Sequence, residues 1–203
     1  MSFSGWSWHI VNAETSPTLR EGMYFLNRWR LPLLFFISGA GVALAMRTRS
    51  PAAFFAERTR RLLLPLVFGI LVIVPPQNYF ERLFRHQFEG GYFSWYPHVF
   101  QGIPYPKGDT SWHHLWFIVY LYVYCLALLP LMNWWRNSQR ARDAWAAAIS
   151  RPGGIFLLAI PSFLLAITLG PHWPVTNNLT ADWANLTISG YTFFAGQDRI
   201  GQP

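Results

Sequence analysis

Charge is scarce in this chain. Only 12% of its 203 residues are charged, about half the share usual in a soluble domain. The four longest apolar stretches contain no charged residue. A soluble domain holds part of such an apolar load in its core, but does not arrange it in long uncharged runs. Cysteine is nearly absent. The single Cys125 lies inside an apolar run, so no intramolecular disulfide and no cysteine-based metal site is available. It reads as a small buried hydrophobe. Met1–Asn12 lacks the basic start and apolar stretch of a signal peptide. There is no repeat of fixed period, no low-complexity segment, no basic tail and no nucleic-acid-binding motif. The net charge of +7 therefore does not point to a nucleic-acid partner.

What the chain has is apolar and aromatic. Hydrophobic residues make up 52%, with 11 Trp, 9 Tyr and 17 Phe. Four runs stand out: Leu31–Met46, Leu62–Pro76, Leu115–Met132 and Gly154–Gly170, with a weaker fifth at Trp183–Gly196. Each is a little short of the ~20 residues that cross a hydrocarbon core as a helix. Tyr24 and Trp29 before the first run, and Tyr79 and Phe80 after the second, suit the membrane interface and extend them. The expected fold is all-α, a polytopic bundle of about four to five spans. The spans are placed near residues 25–46, 62–80, 113–132, 154–170 and 183–198 of one membrane domain. Its first partner is the lipid bilayer.

Pro65, Pro130 and Pro161 lie in or at the ends of these runs, where membrane helices tolerate them. Kinks are expected at Pro65 and Pro161. Gly39 with Ala43, and Gly41 with Ala45, repeat small residues four apart, a spacing that admits a neighbouring helix. Orientation follows from arginine. The Arg47–Arg61 and Asn133–Pro152 loops together hold nine arginines and are expected to face the cytoplasm. The N-terminus and the aromatic, Gly/Pro-rich loop from Gln77 to His113 then face outward. An outward N-terminus with no signal sequence suggests a further helix upstream. The chain is therefore expected to be an internal piece of a longer protein, or a truncated product.

Several residues can carry chemistry. Arg58 and Arg61, three apart at the start of the second run, share a helix face. There they can clamp phosphates by bidentate hydrogen bonds. Their plainer role is to anchor a helix end. His113 and His114 are adjacent and point about 100° apart on a helix, so they do not readily clamp one metal. Ser38 has no base beside it in sequence, and helix packing or back-bonding explains it. Glu81 and Asp109 read as solvated loop charges, although Glu81, like Glu21, can partner Arg28 or Arg30.

Three segments resemble the acyltransferase 3 family of membrane O-acyltransferases. LPLLFFISGAG is similar to that family's apolar helix ending in Phe-x-x-Ser-Gly. ERTRRLLLPLVFG holds Arg58-x-x-Arg61, similar to the family's Arg-x-x-Arg motif at a cytoplasmic helix start. HHLWFIVYLYVY is similar to its His-x-Trp-Phe-Leu helix opening, and PPQNYFERL between them fits as well. The resemblance covers about residues 25–135. It implies transfer of an acyl group, such as acetyl, to a hydroxyl of a carbohydrate or other envelope molecule in a bacterial inner membrane. No bound cofactor is implied; acyl-coenzyme A is the donor substrate. It assigns Arg58 and Arg61 to the donor and makes His114 the catalytic candidate, with Ser38 and Trp116 in support. The family's first helix carries a basic residue followed by a His that serves as base. No such helix precedes Arg30, and His9, in a polar Trp-rich segment, does not take that role. The chain is thus expected to lack the family's first helix and C-terminal part, and to be inactive alone. The alternatives are a non-catalytic membrane fragment or a transporter or channel subunit. The last would need intramembrane charge, which the four runs lack.

Overall fold

The computed structural model describes residues 16–197; His9 lies outside them. The described chain is helical, with no β-strand. Helix α1 runs Pro17–Arg47 and α2 runs Pro51–Phe84. Both are long and apolar enough to cross a membrane, and only 28% of each apolar window is buried in protein. Short α3, Tyr92–Trp95, follows. Then come α4, Trp116–Ala127, and α5, Leu129–Asn137. With the 3-10 turn before it, α4 forms a bent pair with α5 that counts as a third span if taken together. Helix α6 is Gln139–Ile149, α7 is Ala159–Leu169 and α8 is Trp183–Gly196. Leu33, Leu34 and Ile37 on α1, and Leu64, Val67 and Phe68 on α2, are exposed. A water-facing surface seldom carries so much contiguous apolar area. Facing lipid tails, it needs no cover.

Proline shapes these helices through the hydrogen bonds it cannot make. In α2, π turns at Thr59–Leu63 and Gly69–Ile73 each end two residues before a proline, Pro65 and Pro75. Pro75 has no N–H for the carbonyl of Leu71, and the Tyr96 hydroxyl donates to that carbonyl at 2.9 Å. At Pro161 a 3-10 turn, Gly154–Leu158, passes into α7. The Leu158 carbonyl, three residues before Pro161, accepts from the Tyr191 hydroxyl at 3.0 Å. A bend of 53° lies between α4 and α5 just before Pro130, where no kink was expected.

The chain forms two compact units. Of the described residues, the first contains 16–29 and Leu63–Leu115, and the second contains Arg30–Leu62 and 116–197. The first is ordered by aromatic contacts. The Tyr79 ring lies 5.4 Å from Tyr92 and 5.8 Å from Trp95, and Trp95 is fully buried. Such edge and tilted pairs add to area burial, so this Gly/Pro-rich stretch holds a defined shape.

The second unit is built on Phe35. Its ring lies 4.6 Å from Phe117, 5.6 Å from Tyr124 and 6.2 Å from Trp116. Val42, Met46, Phe54, Cys125, Met132 and Phe193 complete a buried cluster. Cys125 is a packed hydrophobe there, as its surroundings in sequence indicate. Helices α1 and α8 meet backbone to backbone. A Cβ on Gly39 would lie 1.8 Å from the Phe193 carbonyl oxygen, and one on Gly196 would lie 1.9 Å from that of Phe36. The pairing order reverses, so the helices cross in opposite senses through matching Phe-x-x-Gly segments. Of the two small-residue pairs, that of Gly39 makes this approach; Gly41 is exposed, with open space beside it. At the start of α8, buried Asp182 accepts from the backbone N–H groups of Thr176, Asn177 and Asn185. This carboxylate satisfies donors that a helix N-terminus leaves open.

Candidate functional site

Arg58 and Arg61 lie in the second unit, and the backbone treats them differently. The π turn beginning at Thr59 widens the helix between them, so the three-residue spacing no longer stacks the pair on one face. Arg61 turns outward: its side chain is 68% exposed and its Nε lies 2.9 Å from Glu57 Oε1. Arg49 holds the other oxygen of Glu57 at 2.6 Å. Glu57 is therefore occupied from both sides. Arg58 turns inward, with its guanidinium carbon 5.2 Å from the centre of the Phe54 ring. Its Nε is buried and has no hydrogen-bond partner among the described residues. A buried guanidinium donor without an acceptor is expensive. It is also the group that an incoming phosphate oxygen or carbonyl satisfies best.

The second cluster is in the first unit. His113 has a positive φ of 39°, a conformation that costs about 1–3 kcal/mol unless its surroundings impose it. They do. Ser111 Oγ accepts from the His113 backbone N–H at 3.0 Å and lies 2.7 Å from its Nδ1. His113 Nε2 bonds the side-chain oxygen of Asn78, and the Tyr105 ring stands edge-on at 4.9 Å. Asn78 is fully buried, and its amide nitrogen donates to the Asp109 carbonyl at 2.9 Å. That fixes its oxygen as the acceptor, so His113 carries its proton on Nε2 and presents Nδ1 as the acceptor. Ser111, His113 and Asn78 thus stand in the order hydroxyl, base and orienting amide, an arrangement able to hold and move one proton.

Glu81 and Asp109 are not solvated loop charges. Glu81 is 2% exposed and takes a hydrogen bond from the Tyr105 hydroxyl at 2.9 Å and an ion pair from Arg85 at 2.8 Å. Burial, and then the bond to Glu81, push the Tyr105 phenol above its usual range, so it stays a donor. Asp109 pairs with Arg82 at 2.8 Å, both nearly buried. Arg82 also donates to the carbonyls of Pro106 and Gly108, each at 2.9 Å. Glu21 pairs with its neighbour Arg20. Beside Arg82 and Asp109 opens a cavity of about 270 Å³, walled by Phe88 and Trp95 and edged by His98, Gln101 and Lys107.

The remaining sequence candidates fall as follows. His114 is exposed, while its neighbour His113 is the bonded one. Ser38 is half-buried on α1 beside Gly39. Trp116 packs at 5.2 Å from Tyr120 in the second unit. Asn78 and Ser111 were not singled out in the sequence; Asn78 lies inside PPQNYFERL, whose unusual Pro-Pro-Gln-Asn start is the one signal for it. Among the described residues, no group of three His, Cys, Asp or Glu side chains is placed to hold a metal ion.

Comparison with curated proteins gives no match, and neither does comparison with solved structures. A family model described as an acyltransferase domain does match, over residues 2–200. With apolar helices of membrane-crossing length and that match along nearly its whole length, the chain is an integral membrane protein that belongs to the acyltransferase 3 family.

Proposed function

We propose that the protein transfers an acyl group, such as acetyl, from acyl-coenzyme A to a hydroxyl of a carbohydrate or other envelope molecule. Membrane acyl transfer in general follows from the family. The donor and acceptor are our reading, and the observation that carries it is the buried, unpartnered Nε of Arg58. A phosphate oxygen of the donor supplies the acceptor this group lacks. Arg61 adds long-range attraction from an exposed position. In this reading α7 and α8 also cross the bilayer, giving the 4–5 spans expected. The arginine-rich turns face the cytosol beneath a bacterial inner membrane, and the N-terminus of this chain faces outward.

On the acceptor side, His113 replaces His114 as the proton-handling residue. Its acceptor atom is Nδ1, which already meets Ser111 Oγ at 2.7 Å, so the hydroxyl proton can be relayed through Ser111 as the oxygen attacks the thioester carbonyl, and then passes to the departing thiolate. The cavity edged by His98, Gln101 and Lys107, with Phe88 and Trp95 as walls, has the mix of planar polar groups and aromatic faces that suits a sugar.

The test is thiol release from acetyl-coenzyme A by the full-length protein in nanodiscs, with and without a carbohydrate acceptor. Acceptor-dependent release, lost in Arg58→Ala, supports the proposal. Release that ignores both the acceptor and Arg58 contradicts it.

A further inference from the structure

A second pocket lies at the C-terminal end of α1, within the second unit. It has a volume of about 180 Å³, and Arg47, Arg136, Arg142, Trp135, Met132 and Gln197 line it. Among the described residues, no carboxylate lines it. The arginines have structural duties as well. Arg136 Nη1 donates to the Met46 carbonyl at 2.6 Å, and its Nη2 to Asn133. Arg142 Nη1 reaches the carbonyls of Trp135 and Arg136, and its Nη2 reaches Gln139. These bonds neutralise open carbonyls at helix ends. A guanidinium carries five N–H donors in a rigid fork, so both arginines keep donors beyond those bonds.

Capping does not explain Gln197. It is 5% exposed, and its Nε2 is buried with no hydrogen-bond partner among the described residues. Native proteins retain few such groups, and each calls for a missing acceptor. An orphan donor facing a pocket beside the guanidinium groups of Arg136 and Arg142 defines what is missing: a compact group rich in acceptor oxygens and carrying negative charge. The apolar walls of Met132 and Trp135, and the pocket's small size, limit it to a single headgroup.

We propose that this pocket binds a phosphate group, with Gln197 as the neutral donor and Arg136 and Arg142 as the charged ones. A free or soluble phosphate ester and an anionic phospholipid headgroup share this chemistry. The site uses none of the residues assigned to the acyl donor, and its test requires no acyl transfer.

The full-length protein is placed in phosphatidylcholine nanodiscs and titrated calorimetrically with inorganic phosphate. In a second arm, its thermal midpoint is compared between phosphatidylcholine nanodiscs and ones also containing phosphatidylglycerol. Gln197→Leu removes only a donor that is unpaired in the fold, so it leaves the protein folded. It is expected to weaken phosphate binding about tenfold, or to remove most of the phosphatidylglycerol shift, as loss of a charge-assisted hydrogen bond does. Gln197→Glu, which sets a carboxylate against the anion, abolishes either effect. A response in the phosphate arm identifies a soluble ligand, and one confined to the lipid arm identifies a headgroup. If neither arm separates wild type from Gln197→Leu, the proposal is overturned.

Discussion

His113 Nε2 donates to the side-chain oxygen of Asn78, and the Asp109 carbonyl holds the amide of Asn78 in the orientation that makes this possible. One carbonyl thereby decides the tautomer of a histidine on another segment. The exposed His114 has no such arrangement. His113→Ala is expected to lower the acyl-transfer rate by about a hundredfold or more, the range typical of a general base. His114→Ala is expected to stay close to wild type. Initial rates at saturating donor check this, and equal losses in the two variants would refute the assignment.

The α1–α8 crossing predicts a sharp contrast between two glycines on one helix. A methyl group at Gly39 meets the Phe193 carbonyl at 1.8 Å, whereas one at Gly41 meets nothing within 4 Å. Gly39→Ala forces backbone to move and is expected to cost about 1–3 kcal/mol or more. Gly41→Ala is expected to be neutral or slightly stabilising, because alanine favours helix. Thermal midpoints in one detergent compare them directly.

Arg82 ties the loop from Ile103 to Ser111 together through Asp109, Pro106 and Gly108. Arg82→Met leaves a nearly buried carboxylate without its cation, a loss of about 3–5 kcal/mol for a buried pair. That energy is local, so the expected outcome is selective opening of the segment from Ile103 to Ser111. Limited proteolysis would show new cleavage there, with the membrane helices still protected. Lys107→Met, at an exposed position, should leave the cleavage pattern unchanged.

The Tyr96 hydroxyl serves the carbonyl that Pro75 leaves open on Leu71. Tyr96→Phe removes that bond while keeping the ring, so it is expected to destabilise by about 1 kcal/mol. Combined with Pro75→Ala, which restores a backbone donor, the loss should shrink. A double-mutant cycle on thermal stability reads the coupling.

The two long membrane helices were legible because lipid imposes one rule on every residue of a span. The uncharged run Leu31–Met46 declares its place without reference to any neighbour. Cys125 was legible for the same reason. The Arg58-x-x-Arg61 motif was legible as a pair, but not its division of labour, since that depends on a π turn and on Glu57 being taken by Arg49 and Arg61. That His113 rather than His114 is the bonded histidine was hidden in the same way. Its partner, Asn78, lies 35 residues earlier, and its one local signal is the Pro-Pro-Gln-Asn start of its segment. Glu81 and Asp109 read as solvated because a loop sequence does not show which charges its aromatic core will enclose. The bend before Pro130 was not expected because proline sets where a helix can yield, while packing sets whether it does.

Arg58 is proposed to meet the acyl donor, with Arg61 only assisting. Calorimetric titration of acetyl-coenzyme A into the full-length protein in neutral nanodiscs tests this most directly, using Arg58→Ala and Arg61→Ala side by side. Arg58→Ala is expected to weaken binding by about ten- to a hundredfold, the worth of a hydrogen bond to a charged group. Arg61→Ala should change it by no more than about threefold, as suits an exposed charge. Equal affinities for wild type and Arg58→Ala would contradict it.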